Sequence, residues 1–97
     1  MAIGVLLEFP GVTQAQYEEA LSRLTNGGTL RSLSDCPVKG LLSHLAGPTP
    51  SGWRVVDVWE SEADLNRFAE ILSPIAKRLG FPDSAPQVFR AHNFVKD

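Results

Sequence analysis

The chain has 97 residues, a length that suits one domain and falls short of two ordinary ones. Apolar residues make up 43% and charged residues 21%, a balance that excludes a disordered chain and fits a soluble globular one. A formal net charge of −2, with Lys77-Arg78 the only adjacent basic pair, gives no basic surface for nucleic acid or an anionic membrane.

Ala2 to Phe9 reads as a strand of branched apolar residues, stopped by Pro10-Gly11. It is too short for a signal peptide or a membrane span and has no basic flank. Thr13 with Gln16 forms a capping-box signature, and Tyr17, Ala20, Leu21 and Leu24 then recur at helical spacing. Asn26-Gly27-Gly28 ends that helix. Thr29 to Lys39 lacks periodicity and reads as loop; its Cys36 is the sole cysteine, so no intrachain disulfide forms and a reducing, cytoplasmic setting fits.

Gly40 to Ala46 is a second strand. The turn formers Gly47 to Gly52 join it as a hairpin to a third, Trp53 to Trp59. Ser61 with Asp64 repeats the N-terminal capping pattern. Leu65, Phe68, Leu72, Ile75 and Leu79 carry a second helical stripe, in which Pro74 predicts a kink or split. Gln87 to Val95 reads as the last strand.

The order β-α-β-β-α-β predicts one α+β domain over residues 1–97. It would be ferredoxin-like, a four-stranded antiparallel sheet with two helices on one face. Sorting each strand by parity gives two sets. The aliphatic set, Ile3, Val5, Leu7, Leu41, Leu45, Val56, Val58 and Phe89, suits packing under the helices. The other set holds His44, Trp53, Asp57, Trp59, Arg90 and His92 among apolar residues, and is expected on the uncovered face. Aromatic and ionisable groups mixed on one open face suggest a homodimer formed through the sheet faces, with a pocket between them.

His44 and His92 are the acid/base candidates, because imidazole titrates near neutral pH, and Asp57 would orient one of them or act as a base itself. Trp53 and Trp59 would line an aromatic pocket or fill an interface, and Arg90 would steer an anionic substrate or pair with an acid. Tyr17 belongs to the first helix stripe, so no tyrosine acid or base is expected in the pocket. The sequence has no metal-ligand spacing, phosphate loop or nucleophile elbow, so no metal and no cofactor is expected.

The run from Gly52 to Ser61 (GWRVVDVWES), the helix after it and the closing His92-Asn93 resemble the dimeric α/β-barrel superfamily, nearest its antibiotic biosynthesis monooxygenase type. That resemblance implies two ferredoxin-like subunits pairing their sheets into a barrel with a pocket in each. Activities in the superfamily include cofactor-independent oxidation of aromatic polyketides, haem degradation, lactone isomerisation and decarboxylation. Haem-degrading relatives carry a histidine on the second helix and an asparagine in the first strand. Here Ser61 to Gly80 has no histidine and the first strand offers Leu7-Glu8, which argues against haem. The expected function is a cofactor-free monooxygenase-like enzyme acting on a small aromatic or polyketide-type molecule; the alternative is a non-catalytic ligand-binding or structural homodimer of the same fold.

Overall fold

The computed structural model describes residues 1–96 and runs β1 (Ile3–Pro10), α1 (Gln14–Leu24), β2 (Leu41–Thr49), β3 (Gly52–Trp59), α2 (Glu62–Arg78) and β4 (Gln87–Arg90). The strands form one sheet in the order β2-β3-β1-β4, every neighbouring pair antiparallel. This is the α+β, ferredoxin-like arrangement that the element order predicts.

Both helices start where their capping residues place them. The Thr13 hydroxyl accepts from the Gln16 amide, and the Gln16 side chain accepts from the Thr13 amide. At α2 the Ser61 hydroxyl accepts from the Asp64 amide; Glu62 and Asp64 sit in the first turn and Lys77 and Arg78 in the last, matching the helix dipole. Pro74 does not split α2, which runs through it as one 17-residue helix. Pro74 and Glu70, whose carbonyl loses its donor, are both exposed, so water can replace the missing bond.

Two strand boundaries differ from the sequence reading. β2 continues through Gly47, Pro48 and Thr49, which pair with Arg54, Trp53 and Gly52, leaving only Pro50-Ser51 as the turn. Proline is tolerated there because β2 is an edge strand. β4 stops at Arg90 instead of Val95, since its partner β1 begins at Ile3, the residue opposite Arg90.

The face assignment is right for β1 and for Leu41 of β2, and reversed for the rest of β2, for β3 and for β4. Ile3, Val5, Leu7 and Phe9 lie opposite Trp59, Asp57, Val55 and Trp53, so these residues share one side of the sheet. That side faces the helices: Ile3, Val5, Leu41 and Trp59 form a buried cluster with Leu21, Leu24, Leu65 and Phe68. His44 and Ala46 join it opposite Asp57 and Val55, while Val88 and Arg90 lie opposite Val5 and Ile3. A register shift between Leu41 and Ser43 lets Leu41 and His44 point the same way, which simple alternation forbids.

The uncovered side is the aliphatic one. It carries Leu6, Leu45, Val56, Val58 and Phe89, with Leu45 66% and Phe89 58% exposed. The Phe89 ring lies across Gly4, filling the space that any Cβ there would need. The fold thus puts His44, Trp53, Asp57 and Trp59 beneath the helices and leaves a mainly apolar sheet face bare, with the Glu8–Arg54 pair at one end of it.

Candidate functional site

Asp57 is the one charged residue buried in the core among the described residues, 4% exposed at the centre of β3. A carboxylate there requires a hydrogen-bond partner. His44, directly opposite on β2, provides it: its Nδ1 lies 2.6 Å from Asp57 Oδ1. On the other side of the imidazole, Nε2 lies 2.6 Å from the Tyr17 hydroxyl of α1. All three groups are satisfied when the Tyr17 O–H donates to Nε2 and the Nδ1–H donates to Asp57. The phenol and imidazole planes are nearly parallel, at 6°, and the Tyr17 ring packs on Trp53 with centroids 5.0 Å apart.

This continuous chain of tyrosine, imidazole and carboxylate is held by α1, β2 and β3. Burial, and after it the charges of Asp57 and Glu18, pushes the Tyr17 phenol up to about 12. A free phenolate is therefore strongly disfavoured at Tyr17 at neutral pH. The hydrogen-bonded acceptor for this hydroxyl's proton is His44 Nε2.

A cleft of about 180 Å³ reaches the imidazole, lined by Leu30, Arg31, Ser32, Leu33, Leu41 and His44. Its outer wall is the loop between α1 and β2, where Asp35 accepts from the amides of Arg31 and Ser32 and fixes a short 3-10 turn, Leu33–Asp35. Cys36, on the same loop, packs against the core. Burial and the Asp57 charge push its thiol up while a bond from the Val38 amide opposes them, so it is a poor nucleophile.

The structure brings together only some of the residues singled out from the sequence. His44 and Asp57 are bonded, and Trp53 packs on Tyr17. Trp59 is fully buried against Phe68, ring centroids 5.1 Å apart, on the same side of the sheet. These groups lie under the helices and not on the open face. His92 and Arg90 do not join them: both are exposed, at and beyond β4, with β1 and β3 intervening, and Arg90 donates to the Met1 sulfur. Sequence reasoning missed Tyr17, taking it for part of the packing stripe. A signal for the other two members was present. Counting back equally from the turn Pro50-Ser51 sets His44 opposite Asp57, marking a buried acid with an imidazole beside it.

Among the described residues no group of three His, Cys, Asp or Glu side chains is placed to hold a metal ion, and no helix is long and apolar enough to cross a membrane. No protein-family model matches the chain, and neither does any curated protein. Solved structures do. SnoaB, a cofactor-independent oxygenase from Streptomyces nogalater, superposes with TM-scores of 0.66 and 0.65 in two crystal structures. It is 14% identical, the match covering 99% of this chain and 98% of that one. A conserved protein from Methanosarcina mazei Go1 matches at 0.61, with 14% identity over 93% of this chain and 92% of the other. A provisionally assigned monooxygenase from Shewanella loihica PV-4 gives 0.57, with 17% identity over 96% of each chain. At these identities the shared property is the fold.

Proposed function

We propose that this chain is a cofactor-independent, monooxygenase-like enzyme acting on a small aromatic molecule bound in the cleft beside His44. The observation that carries the reading is the unbroken hydrogen-bonded chain from Tyr17 through His44 to buried Asp57, reaching a cleft large enough for a ligand. The fold shared with SnoaB, a cofactor-independent oxygenase, supports it.

Such a reaction begins by deprotonating the substrate. The lone pair on Nε2 is already engaged by the Tyr17 hydroxyl, so the Tyr17 oxygen receives the phenolic proton as its own passes to Nε2. Asp57 then balances the imidazolium, the role of the acid in a serine–histidine–aspartate triad. The phenolate, now electron-rich at its para carbon, passes one electron to dioxygen, and the two radicals combine in a C–O bond. The resulting hydroperoxide loses water with the para C–H proton, leaving a quinone. One oxygen atom enters the product and the other leaves as water; the substrate supplies all the electrons, so no external reductant is needed.

The bare aliphatic face of Leu6, Leu45, Val56, Val58 and Phe89 supports a homodimer formed through the sheets. In that assembly each catalytic chain stays within one subunit, on the side away from the partner.

Oxygen uptake with resorcinol under isotopically labelled dioxygen tests the reading. The expected product is a hydroxyquinone carrying one labelled atom, formed at a rate that His44→Asn lowers by about a hundredfold or more. Unlabelled product, or uptake indifferent to His44, sinks it. Ligand binding without uptake leaves the non-catalytic ligand-binding dimer.

A further inference from the structure

We infer that the cleft selects a single-ring aromatic acid, with Arg31 the residue that binds its carboxylate; this rests on the proposed function for the identity of the site and goes beyond it in naming the substrate class. Size comes first. At about 180 Å³ the cleft is close to the roughly 150 Å³ apolar cavity known to take one benzene molecule, and well below the roughly 300–1,000 Å³ typical of drug-sized sites. One ring with small substituents matches that volume.

The lining sets the chemistry. Leu30, Leu33 and Leu41 supply aliphatic walls for a ring, and His44 connects to the proton-accepting chain. That leaves Ser32 and Arg31 as the polar groups of the loop. Arg23, Arg54 and Arg67 each pair with a carboxylate, of Glu19, Glu8 and Asp64 respectively, whereas Arg31, like Arg78 and Arg90, makes no such pair among the described residues. Behind the backbone amides of Arg31 and Ser32, the Arg31 charge still helps to lower the Asp35 carboxyl. The nearby Asp35 carboxylate is instead held by the backbone amides of Arg31 and Ser32. Arg31 also lines a neighbouring depression with Gly27, Gly28, Thr29 and Asp35, so this residue separates the two hollows.

A guanidinium outside any ion pair can match a carboxylate bidentately, fixing direction as well as charge. The acid end is held at the loop and the phenolic end is turned toward the hydrogen bond between Tyr17 and His44. The cation also offsets the negative charge that Asp57 and a newly formed phenolate bring to the site.

Anaerobic calorimetry on the intact protein tests this with α-resorcylate and its methyl ester. The acid should bind at least about tenfold tighter than the ester, an advantage that Arg31→Gln abolishes and Arg31→Lys partly keeps. Equal affinity of acid and ester, an advantage that survives Arg31→Gln, no binding of the acid at millimolar concentration, or equally tight binding of an anthracene carboxylate would each overturn it. Arg31-dependent binding of the acid without oxygen uptake supports this inference and removes the oxygenase reading. Uptake with resorcinol while acid and ester bind alike does the reverse.

Discussion

His44 and Asp57 are direct cross-strand partners in the β2–β3 ladder, so the contact between them is fixed by backbone pairing as well as by their own hydrogen bond. The register counted from the Pro50-Ser51 turn turns His44 inward, and the shift at Leu41–Ser43, beyond it, lets Leu41 face the helices as well. A one-residue slip would move the imidazole to the bare face and leave the carboxylate buried alone.

The stability of that pair follows. His44→Leu leaves Asp57 buried without its partner and should cost about 3–5 kcal/mol in urea denaturation. Replacing both, His44→Leu with Asp57→Leu, should recover most of that loss. A double variant less stable than the single one would show that the pair contributes more than mutual satisfaction.

Catalysis should separate from folding at Asp57 and Tyr17. Asp57→Asn retains an acceptor for the Nδ1–H but removes the charge that balances the imidazolium, and should lower oxygen uptake by roughly 10²–10⁴. Tyr17→Phe keeps the ring on Trp53 while breaking the relay. It should lower turnover by about a hundredfold or more with little change in stability. Turnover at the wild-type level in Tyr17→Phe would place proton entry at His44 itself.

Tyr17 is the sole tyrosine, so its ionisation can be followed directly by phenolate absorbance. The folded value of about 12 lies above the ordinary 10.0, which means that the folded state holds this proton more tightly than the unfolded one. Its contribution to stability is therefore complete below about pH 10 and lost as the pH rises toward about 12. Thermal melts across that window should fall for the native protein and fall less for Tyr17→Phe.

The capping pairs, the element order and the fold class were legible because they depend on residues a few positions apart. Thr13 with Gln16 and Ser61 with Asp64 needed no long-range information. The face of each strand was not legible, because parity within a strand says nothing about its phase relative to its neighbours. Assigning the aliphatic set to the helices seemed natural, yet the helices cover Trp53, Asp57 and Trp59, and Val56 and Val58 lie outside. Tyr17 was hidden for a related reason: its ring does pack in the helix stripe, and only its hydroxyl reaches a partner 27 residues away.

The bare face makes its own prediction. Val56→Glu puts a charge amid Leu6, Leu45 and Val58, and should convert a dimer to a monomer in light scattering. The Tyr17–His44–Asp57 chain, on the opposite side, should survive, as judged by an unchanged phenol titration. A native chain already monomeric at micromolar concentration would remove the dimer.

Gly4 faces the same side. Gly4→Val must push the Phe89 ring away and should cost about 1–3 kcal/mol by overpacking, loosening β4 first. Hydrogen exchange should show faster loss of protection in residues 87–90 than in β3.

Trp53 and Trp59 are the only tryptophans, and both indole N–H groups are buried without a hydrogen-bond acceptor among the described residues. Shielded indoles of this kind emit toward the blue, because no surrounding dipoles relax around the excited state. Tyr17, with its ring centroid 5.0 Å from that of Trp53, hands its excitation to that indole and contributes almost no emission of its own. The intrinsic light of the folded chain is therefore purely tryptophan-like. Tyrosine emission should appear only when α1 lifts from the sheet, giving a spectroscopic gauge of whether the Tyr17–His44–Asp57 hydrogen bonds are assembled.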